Sequence, residues 1–179
     1  MTAYVILFRG IGGATQLPTG PLRAALAEVG FGNVSTYINS GNAVLTSQHA
    51  AEDVAAQVAA LCAHRFGFHK DVHVRSRGEW ADLIARNPFP EATVAPTTLH
   101  AAVLARDPEP ERIGALQALA EGGDRIEVRA RVAYLHTPDG LSASRLGARF
   151  DKGLGVPNTA RNWNTVLRLM GLVDRAASA

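Results

Sequence analysis

Two short β-rich runs, residues 33–38 and 42–46, are separated only by Asn39-Ser40-Gly41, and helical patterns flank them on both sides. Such spacing leaves room for a hairpin and little else. Ahead of it, Tyr4-Val5-Ile6-Leu7-Phe8 is a continuous apolar run, the pattern of a strand buried on both faces. Residues 18–29 then carry Leu22, Leu26 and Val29 at helical spacing, with Gly30 as the stop. After the hairpin, residues 51–65 place Val54, Val58, Leu61 and Cys62 on one helical face, and residues 68–75 alternate as a half-buried strand does. The order β-α-β-β-α-β defines the split βαβ, or ferredoxin-like, arrangement.

The remainder of the chain repeats much of that rhythm. A helical segment at 79–86 runs into Asn87-Pro88-Phe89-Pro90 and a Pro-bounded loop ending at Pro96. Strands are expected at 98–105, 126–130 and 132–135, a helix at 110–120 stopped by Gly122-Gly123, and another at 141–150. A loop at 153–158 leads to a terminal helix over 160–173. No closing strand is visible, and no sequence self-similarity accompanies the repeated order. The expected fold is α+β, with two ferredoxin-like halves packed together, the second less regular. The halves are residues 1–78 and 97–179, joined by a helix and Pro-rich connection at 79–96.

Composition narrows the function classes. The chain has 179 residues, of which 47% are apolar, enough for one compact domain or two small halves sharing a core. No apolar run reaches the roughly 18–20 residues that span a bilayer, so no membrane partner is expected. Residues 1–8 lack a basic leading region and a small-residue cleavage site, and read as a strand instead of a signal peptide. A lone Cys62 excludes an intrachain disulfide and a cysteine-rich zinc site. The cytoplasm is the expected compartment. Sixteen of the eighteen basic residues are Arg, the exceptions being Lys70 and Lys152. Guanidinium forks suit carboxylates and phosphates, although abundant Ala, Gly and Arg also follow from GC-rich coding. A net charge of +2 is too small to imply nucleic-acid binding by itself.

Three polar motifs stand out. Arg9-Gly10-Ile11-Gly12-Gly13 follows the first strand, where a glycine-rich loop can cradle phosphate with backbone N–H groups or simply turn. In Thr36-Tyr37-Ile38-Asn39-Ser40-Gly41-Asn42, Gly41 and Asn39 or Ser40 satisfy an ordinary turn. Asn42 is harder to place, because Asn is depleted in strands, and Tyr37 adds a phenol beside it. Thr159 is the expected N-cap of the terminal helix, with Arg161 and Asn164 three apart on one face. Trp163, Val166, Leu167 and Met170 form its apolar stripe, which makes Trp163 a core anchor. The cap's free N–H groups and Arg161 would form an anion site; the alternative is an Arg/Asn network pinning the helix. His64, His69 and His73 lack the spacing for a shared metal ion on a strand. No Ser-His-Asp order can be defended, and Cys62 lies on an apolar helical face.

Together with Asn87-Pro88-Phe89, these motifs resemble a bacterial family known as domain of unknown function 1697. The second motif matches that family almost residue for residue, except that Ala43 replaces the more usual valine. The first is shorter than the family's usual Arg-Gly-Ile-Asn-Val-Gly-Gly, and Ala14-Thr15 stands where a lysine is common, while Arg9 is retained. The resemblance covers nearly the whole chain and implies no activity and no cofactor. The functional expectation is a module binding an anionic small molecule or nucleic acid at a cleft between the halves. Arg9, Gly10, Gly12, Tyr37, Ser40, Asn42, Arg161, Asn162 and Asn164 would line it. The alternatives are a small cofactor-independent enzyme using the same cluster, or an interaction protein whose motifs are architectural. No metal ligands are expected, and the sequence leaves catalytic residues and oligomeric state open.

Overall fold

The computed structural model describes residues 1–11, 17–39, 41–67 and 69–179. It divides into two compact units, Met1–Asp82 with Arg168–Ala179, and Leu83–Leu167. In the first unit, strands β1 (Thr2–Phe8), β2 (Gly32–Thr36), β3 (Asn42–Ser47) and β4 (Val72–Ser76) form an antiparallel sheet in the order β2-β3-β1-β4. Helices α1 (Thr19–Glu28) and α2 (Ala51–Phe66) cover one face. There Tyr4, Ile6 and Phe8 join Leu22, Leu26, Val54, Val58 and Cys62 in one core. Val5 and Leu7, pointing the other way, are also fully buried. Burial on both faces is why β1 reads as an unbroken apolar run.

The second unit has β5 (Leu99–Leu104), α4 (Pro110–Gln117), β6 (Arg125–Arg129), β7 (Val132–His136), α5 (Arg145–Gly153) and β8 (Asn158–Asn162). Its sheet order, β6-β7-β5-β8, repeats that of the first. Ala102, Leu104, Ala133 and Leu135 pack with Leu116 of α4 and Leu146 and Phe150 of α5. A 3-10 turn, Pro90–Val94, occupies the expected Pro-bounded loop. Each sheet is followed by a further helix, α3 (Arg77–Ala85) or α6 (Trp163–Ser178), and the division between units falls inside both.

β8 is the closing strand missing from the sequence reading, and it shortens the expected terminal helix. Thr159, Ala160, Arg161 and Asn162 pair antiparallel with β5, so α6 begins at Trp163. Thr159 is therefore not the N-cap, and Arg161 and Asn164 do not share a helical face. Within α6, Trp163, Val166, Leu169, Val173 and Ala176 are buried, whereas Leu167 is 47% exposed. The apolar stripe thus runs through Leu169, not Leu167.

The two sheets correspond residue by residue. Tyr4, Ile6 and Phe8 face Ser76, Val74 and Val72, as His100, Ala102 and Leu104 face Asn162, Ala160 and Asn158. Just beyond, Arg9 N–H donates to the Asp71 carbonyl and Ala105 N–H to the Pro157 carbonyl, both at 3.0 Å. Phe8 N–H reaches the Gly41 carbonyl at 3.1 Å, and Leu104 N–H the Arg131 carbonyl at 3.0 Å. By this register Arg75 corresponds to Arg161, Ser76 to Asn162 and Gly41 to Arg131.

Candidate functional site

At one end of the first sheet, β1 finishes while β3 and β4 begin, and two of the sequence motifs meet there. Gly41 has φ +77°, and a Cβ added to it would lie 2.8 Å from Phe8 Cβ and from Ile11 Cγ1. Only glycine lets the Arg9-Gly10-Ile11 segment close over the hairpin turn. Tyr37 N–H donates to the Asn42 carbonyl at 3.0 Å, and Asn42 Nδ2 donates to the Tyr37 carbonyl at 3.1 Å. Asn42 is 1% exposed. Its buried amide thus finds a partner in the turn carbonyl, which accounts for an Asn at the start of a strand. The Arg168 guanidinium lies over the Tyr37 ring, 5.8 Å from its centroid, in cation–π range. Gly12 and Ser40 lie outside the described residues.

Arg9 and Gly10 line an open groove of about 270 Å³ with His69, Lys70 and Asp71. Gly10 adopts φ +63°, and a Cβ there would meet the Lys70 ammonium at 3.6 Å. Arg9 Nη1 is 3.8 Å from Asp71 Oδ2, with both side chains substantially exposed. Two cations, one carboxylate and one imidazole thus line the groove. Sequence reasoning found Arg9 and Gly10 but missed the far wall. The available signal was Lys70, one of only two lysines, placed just before the last strand of the half.

Arg161, Asn162 and Asn164 belong to the second unit, at the β8–α6 junction. Arg161 Nη1 donates to Thr159 Oγ1 at 2.8 Å and to the Ala160 carbonyl at 2.7 Å. Burial pushes its guanidinium down to about 10, since desolvation penalises the charged form. Asn162 Oδ1 accepts from Thr165 N–H at 3.0 Å and so caps α6. Asn164 is exposed in the first turn. A buried Asn that the sequence reading passed over, Asn158, donates to Asp151 Oδ1 at 2.9 Å and to the Val156 carbonyl at 3.1 Å.

The remaining motif is a structural plug. Phe89 N–H donates to Asn87 Oδ1 at 3.0 Å, closing a side-chain turn before Pro90. Phe89 is buried, with the Arg125 guanidinium 4.5 Å from its ring centroid and Glu91 paired to Arg125. Cys62 is buried, which raises its thiol to about 11 and suppresses the thiolate a nucleophile needs. Among the described residues, no group of three or more His, Cys, Asp or Glu side chains is placed to hold a metal ion. Nor is any described helix long and apolar enough to cross a membrane.

Two antiparallel βαββαβ sheets with a basic groove at the end of the first define a paired ferredoxin-like protein. The chain belongs to the family described as protein of unknown function (DUF1697), whose model matches residues 1–134. Among solved structures it is similar to the conserved bacterial protein SP0830 from Streptococcus pneumoniae, at 19% identity and a TM-score of 0.73. That similarity covers 96% of this chain and 98% of the other. No curated protein matches the sequence.

Proposed function

We propose that the protein is a binding module for a small phosphate-bearing anion, held in the groove of Arg9, Gly10 and Lys70. What carries this reading is the convergence of Arg9 and Lys70 on one groove, with the Lys70 ammonium beside the Gly10 backbone. Arg9 supplies a planar fork to an anion and Lys70 a point charge. Asn42 and Asn162 serve the scaffold in this reading, through the turn carbonyl and the helix cap. A second reading, a cofactor-independent enzyme at the same place, is favoured by His69, since imidazole is the commonest general acid–base group.

Thermal unfolding with pyrophosphate, AMP, ATP and a short oligonucleotide tests the binding reading. A true ligand at 100 times its Kd adds about 2.7 kcal/mol. Arg9→Ala and Lys70→Ala should each weaken that stabilisation and leave the ligand-free melting temperature nearly unchanged. Equal stabilisation of all three proteins, or of none, would discard the groove as an anion site.

A further inference from the structure

A second groove, of about 360 Å³, lies in the second unit between α4 and α5, away from every polar motif of the sequence. Its floor and walls come from α4 with the turn that follows it, and from α5. Arg112, Ala115, Leu116 and Leu119 recur at i, i+3, i+4 and i+7, and Arg149, Lys152 and Gly153 at i, i+3 and i+4. Close approach of the two elements depends on Gly153, where a Cβ would lie 2.5 Å from Leu116 Cδ2. The Arg112 side chain runs across Gly155, where an added Cβ would be 2.5 Å from Nε. The apolar strip of Ala115, Leu116 and Leu119 runs from α4 into the turn that ends it.

The charged residues lining this groove are all of one sign. Arg9, Arg65, Arg77, Arg125, Arg129 and Arg145 each have a carboxylate within ion-pair distance. Among the described residues, Arg112, Arg149 and Lys152 have none. Nearby acids are engaged elsewhere: Asp151 with Asn158, Glu121 with Arg145, and Asp124 with the Ser144 hydroxyl. Glu111 neighbours Arg112 in sequence, but one helical step turns it about 100° away. Glu109 precedes the helix as its N-cap residue.

Three unpaired cations around an apolar trough are complementary to one kind of occupant. We infer that the α4–α5 groove binds a small amphiphilic anion, a carboxylate or phosphate head on a short apolar body. The head meets Arg112, Arg149 and Lys152, and the body lies along Ala115, Leu116 and Leu119. Volume supports this choice, since small-molecule sites begin near 300 Å³. The inference is independent of the Arg9 groove, which lies in the other unit.

The test is titration of the intact protein with octyl phosphate and octanoate as monomers, followed by calorimetry and backbone NMR shifts. One-to-one binding is expected, with shifts centred on α4 and α5, and with inorganic phosphate and octanol at least ten-fold weaker. Arg149→Ala with Lys152→Ala should weaken binding at least ten-fold. Ala115→Leu, which fills the trough with a good helix former, should abolish binding without lowering the melting temperature. Arg9→Ala should leave it unchanged. Octanol binding as tightly as octyl phosphate, or insensitivity to these α4 and α5 variants, would overturn the proposal. So would association with anionic vesicles without binding of the monomeric probes, which would assign the patch to a membrane surface.

Discussion

Arg75-Ser76-Arg77 and Arg161-Asn162-Trp163 stand at the same place in the two sheets, and they differ most at the third residue. In both, the guanidinium Nη1 donates to the carbonyl of the preceding residue, Val74 at 2.9 Å and Ala160 at 2.7 Å. In both, the next side chain receives a helix N–H: Ser76 Oγ from Glu79 at 3.3 Å, Asn162 Oδ1 from Thr165 at 3.0 Å. Glu79 returns the favour to Ser76 N–H at 2.8 Å, completing a capping box that α6 lacks. Then Arg77 turns outward to Asp174 at 2.6 Å, while Trp163 is 2% exposed. Repeated architecture here rests on equivalent backbone demands, each met by a different residue. That is why the chain shows repeated element order without repeated sequence.

The largest difference in stability between the two junctions is expected at the third position. Trp163→Ala should cost about 3–5 kcal/mol, the range for a buried aromatic, read from denaturant unfolding. Arg77→Ala should cost at most about 1 kcal/mol, because its ion pair is half-exposed and screened. Blue-shifted, poorly quenched emission from Trp163 in a Trp80→Phe background would confirm its burial; red-shifted emission would refute it.

The hairpins offer the next largest contrast. Gly41→Ala combines a left-handed backbone with contacts at 2.8 Å, and should destabilise by about 2–4 kcal/mol. Its counterpart Arg131 already sits at φ +59°, after Ala130 at +48°, in an exposed turn. Arg131→Gly should therefore stabilise by up to about 1 kcal/mol. A loss of stability there would mean that the Arg131 side chain does something the backbone argument omits.

Removing the caps should have smaller and similar effects. Asn162→Ala and Ser76→Ala are each expected to cost about 1 kcal/mol. Ser76→Ala also removes the hydroxyl that holds Glu79 at 2.9 Å, so Glu79→Gln should lower stability less in the Ser76→Ala background than alone. Equal effects in the two backgrounds would show that the box is not coupled.

The smallest difference is confined to alkaline pH. Burial raises the Cys62 thiol from 9.0 to about 11 and the Tyr134 phenol from 10.0 to about 12. Over those intervals the unfolded chain has released a proton that the folded chain keeps. Stability is therefore intact below pH 9 and falls as pH rises, over 9–11 for the first unit's thiol and 10–12 for the second unit's phenol. Urea unfolding at pH 8.5 and 10.5 should show a smaller drop in Cys62→Ala than in the parent chain. An equal drop would exclude the thiol as its source.

Much of the fold was legible because it rests on local periodicity. β1, α2, β5 and the β6–β7 hairpin each carry enough apolar spacing or turn chemistry to declare themselves, and Trp163 declared itself as a core residue by its stripe. The Arg9-Gly10 segment also drew notice, because a glycine-rich segment after a strand is unusual on its own terms. β8 was not. It is an edge strand beside β5, and Thr159-Ala160-Arg161-Asn162 has no alternation to separate it from the helix that follows.

Tertiary structure set which backbone groups the motif side chains meet. Asn42 and Asn162 look alike in sequence, but one donates to a turn carbonyl and the other accepts from a helix N–H. Tertiary structure also decided where charge is left uncompensated. Sequence counts sixteen arginines without distinguishing them. Whether a guanidinium meets a carboxylate depends on elements far apart in the chain, as with Arg77 and Asp174 or Arg125 and Glu91. Periodicity is a property of neighbours along the chain and survives in one dimension. Pairing of charges and satisfaction of buried polar groups are properties of neighbours in space, and exist only once the sheets have formed.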